Sequence, residues 1–257
     1  MKHRYWASPY FIFLLLFVAL PLVMVLAYAF QDSEGHFTWM QFVKFANDAD
    51  TISTFIFSLQ VALDNTAICL LLGYPTAWIL ANSELNRSSV TVMLFILPMW
   101  INMLVRTLAT VALFDFLSLP LGKGALYFGM VYNFLPFMIL PIYTTLTKID
   151  NSYAQAAQDM GATPWQVLTK VTLPMSMPGV RSGILMVLMP TISTFAIAEL
   201  LTMNKIKLFG TTIQENINNG LWNYGACLAL IMLAIMGITM LYTDTDTVTE
   251  EEKGGLI

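Results

Sequence analysis

Histidine, cysteine and charged residues are all scarce in this sequence. Of its 257 residues, two are histidine, two are cysteine and 11% are charged. His3 and His36 do not form a His-Glu-x-x-His pair, which argues against an intramembrane metalloprotease, and neither is placed to serve as the base of a serine protease. Cys69 and Cys227 both fall in apolar runs, where cysteine packs as a small apolar residue. These absences predict no catalytic residue, no metal site and no disulfide.

A phosphate-binding loop is missing as well. No Gly-x-x-x-x-Gly-Lys-Ser/Thr segment occurs, so the chain lacks the usual means of holding the phosphates of ATP. We therefore expect no cofactor in this chain and no nucleic-acid partner. ATP hydrolysis, if the function needs it, is expected in a separate subunit.

Apolar residues are abundant and come in blocks. They make up 57% of the chain, against roughly 45–50% in soluble domains. A bilayer core of about 30 Å requires roughly 20 such residues in a helix, and six stretches qualify. They run over 10–30, 55–81, 90–114, 125–145, 179–203 and 222–242. The sequence thus predicts an all-α membrane protein with a six-helix domain over 10–242, an N-terminal segment over 1–9 and an acidic tail over 243–257.

The basic residues predict the orientation of these helices. Lys and Arg are enriched in loops on the cytoplasmic side of a membrane. If both termini are cytoplasmic, seven basic residues lie on that side and four outside, namely Lys2, Arg4, Arg87, Lys148, Lys170, Arg181 and Lys253 against Lys44, Lys123, Lys205 and Lys207. Arg106 falls inside the third helix. The loop over 148–181 is then cytoplasmic.

Capping signals in the loop over 148–181 predict two short helices. Ser152 with Gln155 has the spacing of a capping box, and Gly161 fits a left-handed stop, so the first helix is expected over about 153–160. Thr163 with Gln166 forms a second capping box, and that helix is expected to end before Pro174. From these signals alone, a helix pair lying on the membrane and a docking element are equally supported.

The spacing in this loop resembles the EAA signature of binding-protein-dependent ABC permeases. The matching residues are Gln155, Ala156, Ala157, Gly161, Val171, Leu173 and Pro174, with Gln155 where the family usually has Glu. In that family the loop forms coupling helices that insert into a cleft of the ATP-binding subunit. The resemblance implies the type I ABC importer permease fold, and it implies the coupling role for these residues.

Further segments are similar to the spermidine/putrescine branch of that family, and to its first permease subunit. They are LLGYPTA (71–77), LPMWINMLVRT (97–107), NFLPFMILPIY (133–143), FAIAELL (195–201) and WNYGA (222–226). The resemblance implies a heterodimer with a second permease, two ATP-binding subunits that carry ATP and Mg, and an external binding protein. It also implies the bacterial inner membrane. The connection over 115–124 is shorter than is usual in such permeases.

Charged residues inside the predicted helices are candidates for the substrate path, because a charge in the bilayer normally faces protein or water. Asp64 lies near the middle of the second helix and Glu199 belongs to the fifth. Two interpretations of Asp64 stay open: it attracts a cationic substrate, or it pairs with Arg106. Arg106 itself would repel a polyamine, which favours an ion pair or a gating role.

Three aromatic residues are candidates for cation–π contact with ammonium groups: Trp100, Tyr132 and Phe195. Such aromatic residues more often serve in packing or in an interfacial aromatic belt, and of the three we prefer Trp100, which lies beside Pro98 and Asn102. The competing functions are a secondary transporter driven by an ion gradient, with Asp64 in a proton relay, and an ABC permease for another small solute. The EAA spacing favours the ABC permease.

Overall fold

A computed structural model describes residues 8–32, 34–82 and 90–254, and every extended regular element in these ranges is a helix. The helices are α1 (Ser8–Leu14), α2 (Leu20–Ala29), α3 (Met40–Asn47), α4 (Ala49–Asn82), α5 (Val90–Ile96), α6 (Met103–Phe116), α7 (Lys123–Leu146), α8 (Asn151–Asp159), α9 (Pro164–Val167), α10 (Leu173–Met175), α11 (Met177–Ser193), α12 (Ala196–Thr202), α13 (Phe209–Asn218) and α14 (Trp222–Gly254). π-Helical turns join α1 to α2 (Leu15–Ala19) and α9 to α10 (Leu168–Thr172), and a 3-10 turn follows α5 (Leu97–Trp100).

Four to six membrane spans are present in the described chain. Tyr10–Ala29, α4, α7 and Trp222–Met240 are each long and apolar enough to cross a bilayer. The count rises to six if two bent pairs are each taken as one span. The pair formed by Thr91–Trp100 and α6 is bent by 100°, and the pair formed by Pro164–Met175 and α11 is bent by 65°.

The third and fifth predicted helices are not continuous. Pro98 lies in the 3-10 turn after α5, and the backbone becomes extended before Asn102, whose side chain accepts a hydrogen bond from Leu104 N at 2.8 Å and so starts α6. In the fifth, α11 ends at Ser193, Thr194 is extended, and α12 begins at Ala196. A hydropathy run cannot reveal such breaks, because the residues on both sides of each break remain apolar.

The core is centred on α7, which packs against α4 on one side and α11 on the other. A Gly-x-x-x-Gly pair on α11 permits the close approach. A Cβ at Gly179 would lie 2.7 Å from the carbonyl oxygen of Pro141, and one at Gly183 would lie 2.8 Å from Sδ of Met138. The three helices therefore form one tightly packed group.

The first and last spans pack against each other beside this core. Asn223, in the first turn of α14, donates from Nδ2 to the carbonyl oxygens of Tyr28, Gln31 and Asp32 at 3.3, 3.0 and 3.2 Å. These carbonyls lie in the last turn of α2 and just after it, where backbone acceptors lack helical partners. The α14 backbone helix then continues to Gly254, into the segment assigned from sequence to the acidic tail.

Candidate functional site

The helix α8 begins at Asn151 and is capped by Asp150, not by Ser152. The Asp150 carboxylate accepts a hydrogen bond from the Ser152 backbone N–H at 2.9 Å, which holds its pKa below the usual 3.8. The predicted capping box of Ser152 with Gln155 is therefore wrong. An acidic residue two positions earlier is an equally strong cap and interacts favourably with the helix dipole.

Gly161 ends α8 in the left-handed conformation predicted for it, with φ of +86°. Its N–H donates to the carbonyl of Gln158 at 2.8 Å, and the next N–H, of Ala162, donates to the carbonyl of Ala157 at 3.0 Å. This pair of bonds is the Schellman motif. A Cβ at Gly161 would meet no atom within 4 Å, so the conformation alone selects glycine here.

The second short helix starts as predicted and ends later. Thr163 and Gln166 form the capping box: Gln166 N donates to Thr163 Oγ1 at 3.3 Å, and Thr163 N donates to Gln166 Oε1 at 2.9 Å. The helical path then runs through α9, the π-helical turn and α10 to Met175. The expected stop before Pro174 is wrong, because a proline near the start of a helical turn lacks only an N–H that needs no partner there.

Most of the EAA-like residues lie on the surface of this loop. Gln155, Ala156, Gly161, Leu173 and Pro174 are exposed, Val171 is half-buried, and Ala157 is buried. Three large apolar side chains that we did not single out from the sequence are exposed beside them: Tyr153, Met160 and Trp165, at 55%, 84% and 70%. The sequence contains a signal that could have identified them: these large apolar residues occupy positions of short amphipathic helices that do not face the buried side. Exposed apolar groups of this size indicate a contact surface.

The end of this loop is fixed to the core. Ser176, which separates α10 from α11, is fully buried, and its Oγ lies 3.0 Å from Oη of Tyr74 on α4. Three residues later α11 begins its close contact with α7 through Gly179. The loop is therefore attached to both α4 and α7, the two neighbours that form the core with α11.

Asp64 lies near the middle of α4, 15 residues after its start at Ala49, and contacts α7. Tyr127 donates from Oη to Oδ2 of Asp64 at 2.8 Å, and Tyr127 is only four residues, or about 6 Å, from the start of α7. Its neighbour Asn65 is buried and donates to Oγ1 of Thr191, near the end of α11, at 3.1 Å. Asp64 itself is half-buried. A half-buried carboxylate with a hydroxyl donor is compatible with a cation-attracting wall.

Arg106 does not pair with Asp64. Its Nη1 donates to the backbone carbonyl of Asn133 at a long 3.5 Å, and the ion pairs among the described residues do not include it. No ion pair therefore joins Arg106 to Asp64 in this conformation.

The remaining path candidates are dispersed. Tyr132 shares with Arg106 a cavity of about 220 Å³ between α6 and α7, where the guanidinium disfavours an ammonium group. Trp100 is 80% exposed at the end of the 3-10 turn, and Phe195 stands at the break before α12. Glu199 is half-buried on α12, which packs against α6 and α7. Among the described residues, no group of three or more His, Cys, Asp or Glu side chains is arranged to hold a metal ion.

Comparison with known proteins settles the family. The model of the family described as "Binding-protein-dependent transport system inner membrane component" matches residues 3–244. The chain belongs to this family. It is therefore the permease subunit of an ABC importer, a multi-pass inner-membrane protein whose relatives are transport permeases, as the EAA-like spacing predicted.

Its curated relatives include permeases of one transport system. The chain is 32% identical over 251 residues to the spermidine/putrescine transport system permease protein PotB of Salmonella typhi, covering 89% of this chain and 88% of the relative. It is 31% identical over 255 residues to PotB of Escherichia coli (strain K12), covering 89% and 91%. The permease protein PotC of the same strain is 23% identical over 244 residues, covering 93% and 92%.

Solved structures show the same fold. The chain superposes with a TM-score of 0.70 on a bacterial ABC transporter that imports the acidic polysaccharide alginate, at 18% identity over 94% of this chain and 93% of that one. The MetNI methionine ABC transporter gives 0.62 at 17% identity, over 77% and 94%. The type I ABC importer permease fold is confirmed.

Proposed function

We propose that this family member is the first permease subunit of an importer for small polyamines such as spermidine and putrescine. The observation that carries the proposal is the match to PotB at 31–32% identity over nearly the full length of both chains. The weaker match to PotC supports a heterodimer, because the two permeases of such a system are themselves related. A separate binding protein delivers the polyamine, and both termini of this chain face the cytoplasm.

The loop over 148–181 contacts an ATP-binding subunit. Its exposed Tyr153, Met160 and Trp165 supply apolar contact area around the EAA-like residues, and two ATP-binding subunits bind ATP and Mg outside this chain. Closure of those subunits moves α8, α9 and α10. The attachments at Ser176 and Gly179 support transmission of that movement to α4 and α7.

Asp64 and Glu199 are the acids that we assign to the polyamine path. Both are half-buried, so each residue reaches the surface of this chain while lying among membrane helices. Neither takes part in an ion pair among the described residues. A carboxylate without a basic partner attracts an ammonium group. Tyr132 is the least suitable of the aromatic candidates, because Arg106 lines the same cavity.

Uptake by the reconstituted complex tests the proposal. The chain is purified with its second permease and ATP-binding subunits, placed in proteoliposomes, and supplied with the cognate binding protein. We expect uptake of radiolabelled putrescine or spermidine that requires ATP on the side of the ATP-binding subunits and resists a protonophore. Uptake abolished by the protonophore would instead support an ion-gradient transporter, and uptake of a different solute alone would refute the polyamine assignment.

A further inference from the structure

Arg106 is a buried cation whose hydrogen-bonding capacity is mostly unmet by this chain. Its side chain is 6% exposed. Of the five N–H donors of a guanidinium, Nη1 makes one long bond to the Asn133 carbonyl, and Nε is buried without a partner. The side-chain Oδ1 of Asn133 also lacks a partner. Buried polar groups are normally satisfied, so this site is incomplete in the isolated chain.

The site lies at mid-depth of the membrane domain. Arg106 is ten residues before the end of α6 at Phe116, and Asn133 is ten residues after the start of α7 at Lys123. At 1.5 Å per residue, both positions are about 15 Å from the same end of the domain, which is half of a hydrocarbon core of about 30 Å. Lipid phosphate groups are therefore too distant to neutralise the guanidinium.

A cavity of about 220 Å³ gives access to this cation from the side of the domain. It is lined by Arg106, Ala109, Thr110, Leu113, Phe128 and Tyr132. Its rim is apolar and open, since Leu113, Phe128 and Tyr132 are 45%, 49% and 41% exposed. The hydroxyl of Thr110 is already used, because it donates to the carbonyl of Arg106 at 2.9 Å. The cavity is thus a cationic socket in an otherwise apolar face of α6 and α7.

The chemistry of this socket selects an anionic group. A cationic substrate would be repelled, and water alone would leave a buried charge uncompensated. No acidic side chain among the described residues forms an ion pair with Arg106. A carboxylate carried by a neighbouring membrane helix has the complementary charge and a planar shape that a guanidinium binds through two parallel hydrogen bonds.

We propose that the cavity between α6 and α7 receives an Asp or Glu side chain from a membrane helix of the second permease subunit, which forms an ion pair with Arg106 at mid-depth. The proposal rests on the heterodimer proposed above. It assigns Arg106 to subunit assembly and places one face of the heterodimer interface on the outer side of α6 and α7.

Opposite effects of one substitution in two assembly states test the proposal. In this chain expressed alone, Arg106→Met removes a buried cation that has no counter-ion and should raise the melting temperature. In the assembled complex the same substitution should strand the partner's carboxylate, so recovery of the second permease with the tagged chain should fall at least about tenfold. Thr110→Val alters the same cavity without changing its charge and should leave recovery of the second permease unchanged. Arg106→Lys keeps the positive charge and should retain part of that recovery.

The partner acid is then located by reversal of the charges. Each Asp and Glu in the membrane helices of the second permease is changed to Gln, and we expect one of them to reproduce the loss. Arg106→Glu combined with that acid changed to Arg should restore recovery. The proposal is overturned if Arg106→Met lowers the melting temperature of the chain alone, if it leaves assembly intact, or if Glu199→Gln of this chain reproduces the loss. If the unaltered chain recovers no second permease, the heterodimer itself is wrong.

Discussion

The turn at Gly161 provides the sharpest test of the coupling role, through the substitution Gly161→Val. With φ at +86°, a residue that carries a Cβ costs about 1–2 kcal/mol, and a β-branched one costs more. No steric term is added, since a Cβ there would meet nothing within 4 Å. The strain can be relieved only by giving up the Schellman bonds to Gln158 and Ala157, which fix the direction in which the chain leaves α8.

A cost of at least about 1–2 kcal/mol lowers the ratio of native to altered turn by a factor of at least about five to thirty. We expect recovery of the ATP-binding subunit and polyamine uptake to fall together by about that factor, because both depend on the relative positions of α8 and α9. The amount of chain inserted in the membrane should not change, since the turn is exposed and makes no contact with the core. Copurification, uptake and membrane level are measured on one preparation.

Gly161→Asn is the matched control, because asparagine adds a comparable volume and tolerates the left-handed conformation. It should retain most of the recovery and uptake that Gly161→Val loses. If the two variants behave alike, backbone strain is not the cause of the defect. If Gly161→Val retains both activities at the normal level, the loop is not the contact with the ATP-binding subunit.

Three further predictions address the path, the orientation and the packing. Asp64→Asn and Glu199→Gln should each reduce polyamine uptake about tenfold, the effect of losing roughly 1.4 kcal/mol of attraction, while the purified complex stays intact. A cysteine placed at Asn151 should react with an impermeant thiol reagent only from the cytoplasmic side, and one at Asn218 only from outside. Gly179→Ala should destabilise the detergent-solubilised chain by about 1–3 kcal/mol in thermal unfolding, because its Cβ would overlap a backbone carbonyl of α7.

Each of these has a control within the chain. Glu215→Gln removes an acid that already pairs with Lys207 at 2.7 Å and should leave uptake unaffected; a loss equal to that of the path variants would indicate a nonspecific charge effect. The labelling background lacks Cys69 and Cys227, and reversed labelling would overturn the orientation and the coupling role with it. Gly237→Ala on α14 meets open space, so equal destabilisation by both glycine variants would refute the packing argument.

The fold class could be predicted from the sequence because membrane helices must satisfy their own backbone, which makes long apolar runs diagnostic. The interruptions were missed, although Pro98 and Asn102 are local signals for the first of them. The break after Leu97–Trp100 depends on the cap formed by Asn102, and the break at Thr194 occurs within a run of apolar and small residues. At each break, a continuous helix and the interrupted backbone differ by only one or two hydrogen bonds. A 20-residue hydropathy window averages over such differences.

The loop over 148–181 was predicted in greater detail than the membrane site, for a physical reason. Capping is local: Thr163 with Gln166 and the glycine at position 161 act within one turn, so their residues can be recognised in order along the chain. The mistaken cap at Ser152 arose because Asp150 competes for the same amide donors. The relation between Asp64 and Arg106, in contrast, depends on the register of α4 and α6 against α7. No local pattern encodes that register.

The arrangement of contacts also indicates which helices can move together. Ser176 joins the loop over 148–181 to α4 by a buried hydroxyl contact, and Gly179 and Gly183 hold α11 closely against α7. The α2–α14 pair is held by a different set of bonds, centred on Asn223. Because close backbone contacts resist sliding, a force on α8 and α9 would displace α4, α7 and α11 as a unit. Arg106 lies on α6, beside α7 of that unit, so an ion pair with the second permease would link that subunit to the moving group.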